Sequence, residues 1–213
     1  MKAIFIDLDG TMFDTAPELV FSVNEMLKKF GSNALEFDVV RTFIGRGVDN
    51  LINQSISLAR IQDVNLDHAR ETFNSIYDDL ADKSKAYPSV LATLDVLKSR
   101  KIKLACITNK PSMHTMMILK KYGLSSIFDF VLCGDEMRLK KPNAFPINYV
   151  RKNFSVSKEE TIMVGDSVND IKSAINAGVK IATVPYGYQG NEPIDKYSVD
   201  YKMKDCSDLL EIC

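Results

Sequence analysis

The segment MKAIFIDLDGTMFDT at residues 1–15 decides the fold, because an apolar run ends there in two aspartates, Asp7 and Asp9. Side chains alternate along a strand, so both carboxylates are expected on the same side. Two like charges repel each other unless a cation lies between them or water surrounds them, and hard divalent cations prefer such oxygens. Gly10 and Thr11 favour a metal site over a solvated acidic turn, since glycine permits an unusual backbone path and threonine adds a hydroxyl.

Apolar runs rich in Ile, Val and Leu recur along the chain and are separated by segments with helical spacing. The runs are KAIFID, IKLACIT, DFVLCG, TIMVGD and KIATVP. Continuous apolarity predicts strands that are buried on both faces, and their alternation with helices predicts a parallel sheet. We therefore predict an α/β fold with a doubly wound, Rossmann-like parallel sheet.

The segment 15–86 interrupts this alternation, because it contains no strand-like run and its apolar residues recur three and four positions apart. Pro17 and Gly31 are typical of the start and the end of its first helix. We predict an inserted helical cap over residues 15–86 and an α/β core made of residues 1–14 and 87–213. The two connections would then act as a two-stranded hinge.

Composition narrows the class of protein. The 213 residues are 46% hydrophobic, which suits one buried core with an insertion. The net charge is −1 and no basic block is present, so nucleic acid is not an expected partner.

The first apolar run is too short for a signal peptide or a membrane span, and we expect a cytoplasmic protein without membrane contact. The four cysteines form no CxxC pair, and we expect His68 and His114 at the surface or at a helix end.

A second acidic segment, TIMVGDSVND, places Asp166 at the end of an apolar run and Asp170 one helical turn later. Both carboxylates face one side if a helix begins near Ser167, whose hydroxyl is suited to cap it. An ordinary capped loop would have the same pattern. Because the carboxyl ends of parallel strands form a crevice where the strand order reverses, we predict that the four acids of the two segments converge there.

Two further segments add hydrogen-bond donors and a cation. Thr108 and Asn109 end an apolar run, where hydroxyl, amide and backbone N–H groups suit an anion, although they are equally common in loops that lead into helices. Lys140 and Lys141 precede Pro142, which holds the residue before it extended and can direct a lysine into a cleft. A solvated surface pair is the alternative. Acids, donors and a cation together are typical of phosphoryl transfer.

The motifs DLDGT, ITN, KKP and GDSVND, in this order, resemble the four motifs of the haloacid dehalogenase superfamily, and the insert resembles its helical type 1 cap. The resemblance covers essentially the whole chain and is most specific in the first motif. It implies that Asp7 is the nucleophile and that Asp9 is the general acid and base. Mg²⁺ would be bound by Asp7, Asp166 and the main-chain carbonyl of Asp9, with Asp170 supporting the metal site. Thr108 and Asn109 would contact the phosphoryl oxygens, and Lys141 would neutralise Asp7 and the phosphoryl group.

The residue at position 9 separates the chemistries of this superfamily. Dehalogenases lack the second aspartate, phosphonate-cleaving relatives have alanine there and P-type ATPases have lysine, so Asp9 indicates phosphate esters. The resemblance implies in-line attack by Asp7, an aspartyl-phosphate, and its hydrolysis by water that Asp9 activates. A phosphosugar mutase or phosphatase and a pyrophosphatase are alternatives. A signalling receiver is a remote one, because receivers lack the helical insert.

The segment FIGRGVDNLI lies in the predicted cap and bears on the substrate. Its two glycines permit a tight turn, and Arg46, Gly47 and the following helix start suit an anion, whereas a plain turn with a surface arginine is the alternative. This segment and NAGVKIATVPYGY resemble phosphoglycolate phosphatases, which implies a small carboxylated phosphate ester and a monomer or weak homodimer. Ala144 departs from the usual Lys-Pro-x-Pro of that group, which bears on the fine specificity while Lys141 is kept.

Overall fold

The computed structural model describes residues 1–190 and 192–213, which form an α/β structure. Its strands are β1 (Ala3–Ile6), β2 (Phe13–Asp14), β3 (Lys85–Ala86), β4 (Lys103–Ile107), β5 (Phe130–Leu132), β6 (Thr161–Gly165), β7 (Lys180–Thr183) and β8 (Tyr201–Lys202). Its helices are α1 (Ala16–Lys29), α2 (Phe37–Arg41), α3 (Val48–Leu58), α4 (Leu66–Tyr77), α5 (Val90–Ser99), α6 (Ser112–Lys121), α7 (Phe145–Phe154), α8 (Val168–Ala177) and α9 (Leu209–Ile212).

Strand β1 lies inside a six-stranded parallel sheet with the order β5-β4-β1-β6-β7-β8. Its side chains enter two different cores: Ile4 and Ile6 pack with residues of α5, α6 and α9, and Ala3 and Phe5 pack with residues of α7 and α8. Helices therefore cover both faces of the sheet, which explains the continuous apolarity of the strands. The predicted doubly wound α/β fold is confirmed, and all five apolar runs form strands of this sheet.

Helices α1 to α4 form a helical unit with a hydrophobic cluster of its own. Pro17 lies in the first turn of α1, and Gly31, with a φ of 75°, follows its end, as predicted. The prediction that the insert holds no strand is wrong at its last residues. There, β3 pairs antiparallel with β2, with Phe13 opposite Ala86. Both connections to the helical unit therefore run side by side.

Several short elements were not predicted from the sequence, and β8 and α2 are examples. The edge strand β8 and the five-residue helix α2 are too short to carry a periodic signal, and other parts of the fold hold them in place. None of the helices formed by residues 1–190 and 192–213 combines the length and the apolar character that a membrane crossing requires.

The packing of α5 against the sheet yields a stability prediction. Leu94 is fully buried and Val96 in the same helix is 37% exposed. Leu94→Ala is expected to lower the free energy of unfolding by about 2 to 5 kcal/mol, because it leaves a cavity in the core. Val96→Ala should change it by less than about 0.5 kcal/mol. Urea unfolding of both variants measures the difference, and equal losses would contradict this packing.

Candidate active site

The strand order reverses at β1, so the loops after β1, β4 and β6 open into one crevice. Asp7, Asp166 and Asp170 meet there. All three are buried, and each places one carboxylate oxygen within 4.8 Å of the others. Three of the four acids that were predicted to converge form this cluster, and Asp9 lines the same cleft as Asp7. The carboxylate of Asp9 has other partners and lies outside this cluster.

Lys141 connects two of the three carboxylates. Its Nζ lies 2.8 Å from Oδ1 of Asp7 and 2.6 Å from Oδ1 of Asp170, and all three side chains are almost completely buried. The main-chain N–H of Leu8 also donates to Oδ1 of Asp7, at 2.7 Å. Within the described part of the chain, Oδ2 of Asp7 has no donor. Asp7 is thus held by one oxygen, and its other oxygen has no hydrogen-bond partner among the described residues.

Asp170 belongs both to this cluster and to the start of α8. The main-chain N–H and the hydroxyl of Ser167 donate to its Oδ2, at 3.2 and 2.7 Å. The predicted start of a helix near Ser167 is confirmed. A Cβ at Gly165 would lie 2.2 Å from Cγ of Asp170, so a larger residue cannot end β6 without displacing this carboxylate.

Asp166 is fixed by the segment that follows β1 and by the loop after β7. Thr11 donates its hydroxyl to Oδ1 at 2.9 Å, and the N–H of Tyr188 donates to Oδ2 at 2.7 Å. Both flanking glycines approach closely: a Cβ at Gly10 would lie 2.6 Å from Oδ2 of Asp166, and one at Gly187 would lie 2.2 Å from its Cβ. Gly10 also has a φ of 78°, which favours glycine. Gly10 and Thr11 therefore shape the site by holding Asp166.

The carboxylates of this cluster carry more negative charge than Lys141 can balance. Burial raises the pKa of Asp7 to about 8. The positive charge of Lys141 opposes this rise, and the negative charge of Asp170 adds to it. Burial and the charge of Asp170 likewise raise the pKa of Asp166 to about 6. Burial alone would lower the pKa of Lys141, but the charges of Asp170 and Asp7 outweigh it and the pKa is raised. The ammonium therefore remains charged, while the carboxyl groups of Asp7 and Asp166 ionise less readily than usual.

The donor set fits Mg²⁺. Hard dications prefer carboxylate oxygens, and a dication here would supply the missing positive charge. Oδ2 of Asp7 is free, and the hydrogen-bonded oxygens of Asp166 keep lone pairs for a ligand. Asp7 and Asp166 are the residues that would hold the ion, and Asp170 lies beside them. The role of the main-chain carbonyl of Asp9 stays a prediction.

The carboxylate of Asp9 is bound by two residues that sequence analysis missed, Thr15 and Lys110. Its Oδ1 accepts from the hydroxyl of Thr15 at 2.7 Å and from Nζ of Lys110 at 3.0 Å. Lys110 also donates to the hydroxyl of Tyr77, the last residue of α4, at 2.7 Å. The sequence feature that could have indicated Lys110 as a site residue is its position directly after Asn109. Nothing in the apolar pattern of α4 distinguishes Tyr77 from an ordinary core residue.

Thr108 and Asn109 lie beside Asp7, but their side chains differ in availability. The amide of Asn109 donates to the carbonyls of Gly45 and Lys141, both at 2.9 Å, and accepts from the N–H of Lys141 at 3.1 Å. Its side chain is therefore engaged by the protein, and its predicted contact with a phosphoryl group stays a prediction. The hydroxyl oxygen of Thr108 accepts from the N–H of Lys110 at 3.2 Å, and none of the described residues accepts its proton.

A cleft lies between the core and the helical unit, with Asp7 and Asp9 in its wall. The helical unit contributes mainly apolar side chains, namely Leu19, Ile44, Val48, Leu51 and Phe73. Gly47 lines this cleft as predicted. Arg46 does not: it is exposed and lines a separate cleft beside Asn169.

His114 lies in the first turn of α6, so the expected position at a helix end is confirmed, although its side chain is not at the surface. It is buried, and its Nε2 lies 2.7 Å from Oδ1 of Asp78. Burial lowers its pKa, so the ring is neutral at pH 7. His68 is exposed, as expected. Since His114 lines the main cleft as a neutral group, it adds no positive charge there.

Residues 4–184 match the family described as haloacid dehalogenase-like hydrolase. The chain belongs to this family. It is 35% identical over 205 residues to a phosphoglycolate phosphatase of Nitrosospira multiformis, an alignment covering 94% of this chain and 89% of the relative. It is also 35% identical over 218 residues to a phosphoglycolate phosphatase of Vibrio parahaemolyticus, covering 100% and 96%.

A solved structure agrees with this assignment. It is the crystal structure of a Haemophilus somnus protein described as a predicted phosphoglycolate phosphatase, with a TM-score of 0.95 and 32% identity. The match covers 100% of this chain and 97% of that protein. The resemblance that the four motifs indicated is thus confirmed.

The raised pKa values predict how stability depends on pH without metal. In the folded state the pKa values of Asp7 and Asp166 are about 8 and about 6, above their ordinary value of 3.8. The folded state then binds more protons than the unfolded state, so this contribution to stability is complete below about pH 4 and is lost as the pH rises toward about 8. Mg²⁺ should raise the melting temperature more at pH 8 than at pH 5.5. Thermal melts in EDTA and in Mg²⁺ measure both effects.

Two variants provide the control for this prediction. Asp7→Asn removes the carboxylate with the higher pKa and should flatten the loss of stability between about pH 5 and about pH 8. Asp38→Asn, an exposed position on α2, should keep the pH dependence of the unchanged protein. If Asp7→Asn and Asp38→Asn gave the same profile, the cluster would not be the source of the pH dependence.

Proposed function

We propose that the protein is a Mg²⁺-dependent phosphoric monoester hydrolase that acts on 2-phosphoglycolate or a closely similar small ester. The observation that carries the proposal is the buried cluster of Asp7, Asp166 and Asp170, in which Lys141 holds one oxygen of Asp7 and leaves the other free. Membership of the hydrolase family and the phosphoglycolate phosphatases at 35% identity support it.

Asp7 is the proposed nucleophile. One oxygen of its carboxylate forms a bond to phosphorus while the bond from phosphorus to the ester oxygen breaks, which leaves an aspartyl-phosphate. A carboxylate attacking a phosphate dianion meets strong repulsion. Lys141, at 2.8 Å from Asp7, offsets part of it, and such a preorganised charge is worth about 3 kcal/mol in a closed site. Mg²⁺, when bound by Asp7 and Asp166, supplies further positive charge for the phosphoryl oxygens.

Asp9 is the proposed acid and base. As a carboxylic acid it protonates the leaving oxygen, and as a carboxylate it then takes a proton from the water that hydrolyses the aspartyl-phosphate. Thr15 and Lys110 hold its carboxylate at the cleft. The hydroxyl of Thr108 and the main-chain N–H of Asn109 are the proposed donors to the phosphoryl oxygens.

We propose that residues 15–86 act as a cap over Asp7. Contacts between the two parts support this: Asn109 binds the carbonyl of Gly45 at 2.9 Å, and the hydroxyl of Tyr188 accepts from the N–H of Ala16 at 2.8 Å. The apolar lining that the helical unit contributes favours exclusion of bulk water from the reaction. Gly47 is the proposed cap contact, whereas the position of Arg46 lends no support to a contact with substrate.

Replacement of the nucleophile tests the chemistry. Asp7→Asn should lower kcat for phosphate release by more than about 1,000-fold, because an amide does not attack phosphorus. Phosphate release in the presence of Mg²⁺ measures the loss, and a thermal melt reports whether the variant is folded. Asp38→Asn makes the same chemical change on the exposed face of α2 and should retain activity. Substantial turnover by folded Asp7→Asn would refute the assignment.

A substrate panel tests the specificity. The wild-type protein with Mg²⁺ is expected to show its highest kcat/KM on 2-phosphoglycolate, in comparison with hexose phosphates, pyrophosphate and nucleotides. The physical reason is the largely apolar cleft, which offers few polar partners for a sugar or a base. A dominant rate on hexose phosphates, or isomerisation of a phosphosugar without phosphate release, would refute the substrate while keeping the nucleophile.

A further inference from the structure

Lys110 is held in one position at the border between the core and the helical unit. Its N–H donates to the hydroxyl of Thr108 at 3.2 Å, and its carbonyl accepts from the N–H of Gly134 at 2.9 Å. A Cβ at Gly134 would lie 2.1 Å from the carbonyl oxygen of Asn109, so the two loops pack at the closest range that glycine allows. The side chain of Lys110 is only 3% exposed. Its ammonium is therefore placed by the fold.

The ammonium of Lys110 has one more donor than its surroundings use. An ammonium carries three N–H groups, and the described residues provide two acceptors, Asp9 at 3.0 Å and Tyr77 at 2.7 Å. Burial would lower the pKa of Lys110, but the charge of Asp9 and the contact with Tyr77 outweigh it and the pKa is raised. A buried charge with an unused donor is costly, and a ligand atom would remove that cost.

Tyr77 has an unused donor as well. Its hydroxyl oxygen accepts from Lys110, and none of the described residues accepts its proton. Burial raises the pKa of Tyr77 to about 12, so the hydroxyl stays protonated. Its ring is fixed by Phe73, with centroids 5.5 Å apart, and by His114, at 4.7 Å. Tyr77 therefore offers a well-placed neutral donor beside the charged donor of Lys110.

Both residues line the cleft that holds Asp7 and Asp9. Lys110 is the single cationic side chain among the described residues that line it, since Arg46 lies in the separate cleft and His114 is neutral. An anionic group of a substrate beyond its phosphate would find no other charge partner in this cleft. The remaining side chains from the helical unit are apolar.

The position of Lys110 relative to Asp9 matches the shape of one class of leaving group. In the proposed mechanism Asp9 protonates the leaving oxygen, so this oxygen lies within hydrogen-bond distance of a carboxylate to which Lys110 is also bonded. In a phosphorylated 2-hydroxy acid a single carbon separates this oxygen from the carboxyl group. The carboxylate then falls beside the ammonium that already touches Asp9.

We infer that the ammonium of Lys110 and the hydroxyl of Tyr77 together receive the carboxylate of the leaving group, and that this pair selects phosphorylated 2-hydroxy acids over neutral phosphate esters. The inference rests on the proposed function and deepens it. Lys110 supplies a charge-assisted hydrogen bond and Tyr77 a neutral one. Because the two donors come from the core and from the helical unit, the site is complete only when the two parts are together.

The test compares 2-phosphoglycolate, which carries a carboxylate at this point, with 2-hydroxyethyl phosphate, which carries a neutral hydroxymethyl group there. The quantity is the ratio of their kcat/KM values, in which any effect of Lys110 on Asp9 cancels. We expect Lys110→Met to lower the ratio by at least about 10-fold and Tyr77→Phe, which keeps the ring, by about 3- to 10-fold. Lys120→Met removes an exposed lysine on α6 and should leave the ratio unchanged.

The outcomes separate the inference from the proposed function. If Lys110→Met lowers both kcat/KM values equally and the ratio stays constant, Lys110 acts only through Asp9 and the inference is wrong, while the phosphatase assignment stands. If the wild-type protein already prefers 2-hydroxyethyl phosphate, the inference is also wrong. If it releases phosphate from neither ester, both proposals fail. If Lys110→Met does not fold, Tyr77→Phe alone decides, since a constant ratio there overturns the shared site.

Discussion

The buried ion pairs of Lys141 with Asp7 and Asp170 are the interactions on which the rest of this site depends. They join the end of β1, the segment before α7 and the first turn of α8, which are distant in the chain. Buried charges are tolerated only when they are paired and hydrogen-bonded, so removal of either partner would leave an uncompensated charge in the core. Asp170 also accepts from Ser167 at the start of α8, and the geometry of the site is therefore part of the fold.

The same cluster is locally unfavourable for stability. Burial and mutual repulsion keep the pKa values of Asp7 and Asp166 above the ordinary range, so the ionised cluster opposes folding unless more positive charge is present. Gly10, Gly187 and Thr11 nevertheless hold Asp166 in place, and no larger residue fits at either glycine. The cluster therefore lowers the stability of the fold at the place where a dication and a phosphate are proposed to bind. The apolar cores on both faces of the sheet compensate for this loss of stability.

The cleft is chemically asymmetric. Its core wall carries the charged and polar groups, whereas the helical unit contributes mostly apolar side chains. Tyr77 is the exception, because it brings a hydroxyl from the helical unit to Lys110 in the core. Such a division suits an enzyme in which the core performs one phosphoryl transfer and the cap selects the leaving group. Asn109 joins the two walls, because its side-chain amide donates to the carbonyl of Gly45 in the helical unit and to that of Lys141 in the core.

The amino-acid sequence by itself determined the fold class, the helical insertion and the acids at the strand ends. Periodicity reports which residues are buried, and the end of a buried strand is visible where charge interrupts it. Only the tertiary structure decided that the carboxylate of Asp9 leaves the cluster, that Arg46 faces another cleft, that His114 is buried and that Lys110 meets Tyr77. The physical reason is that the direction of a loop side chain depends on packing between segments far apart in the chain, which no local pattern encodes.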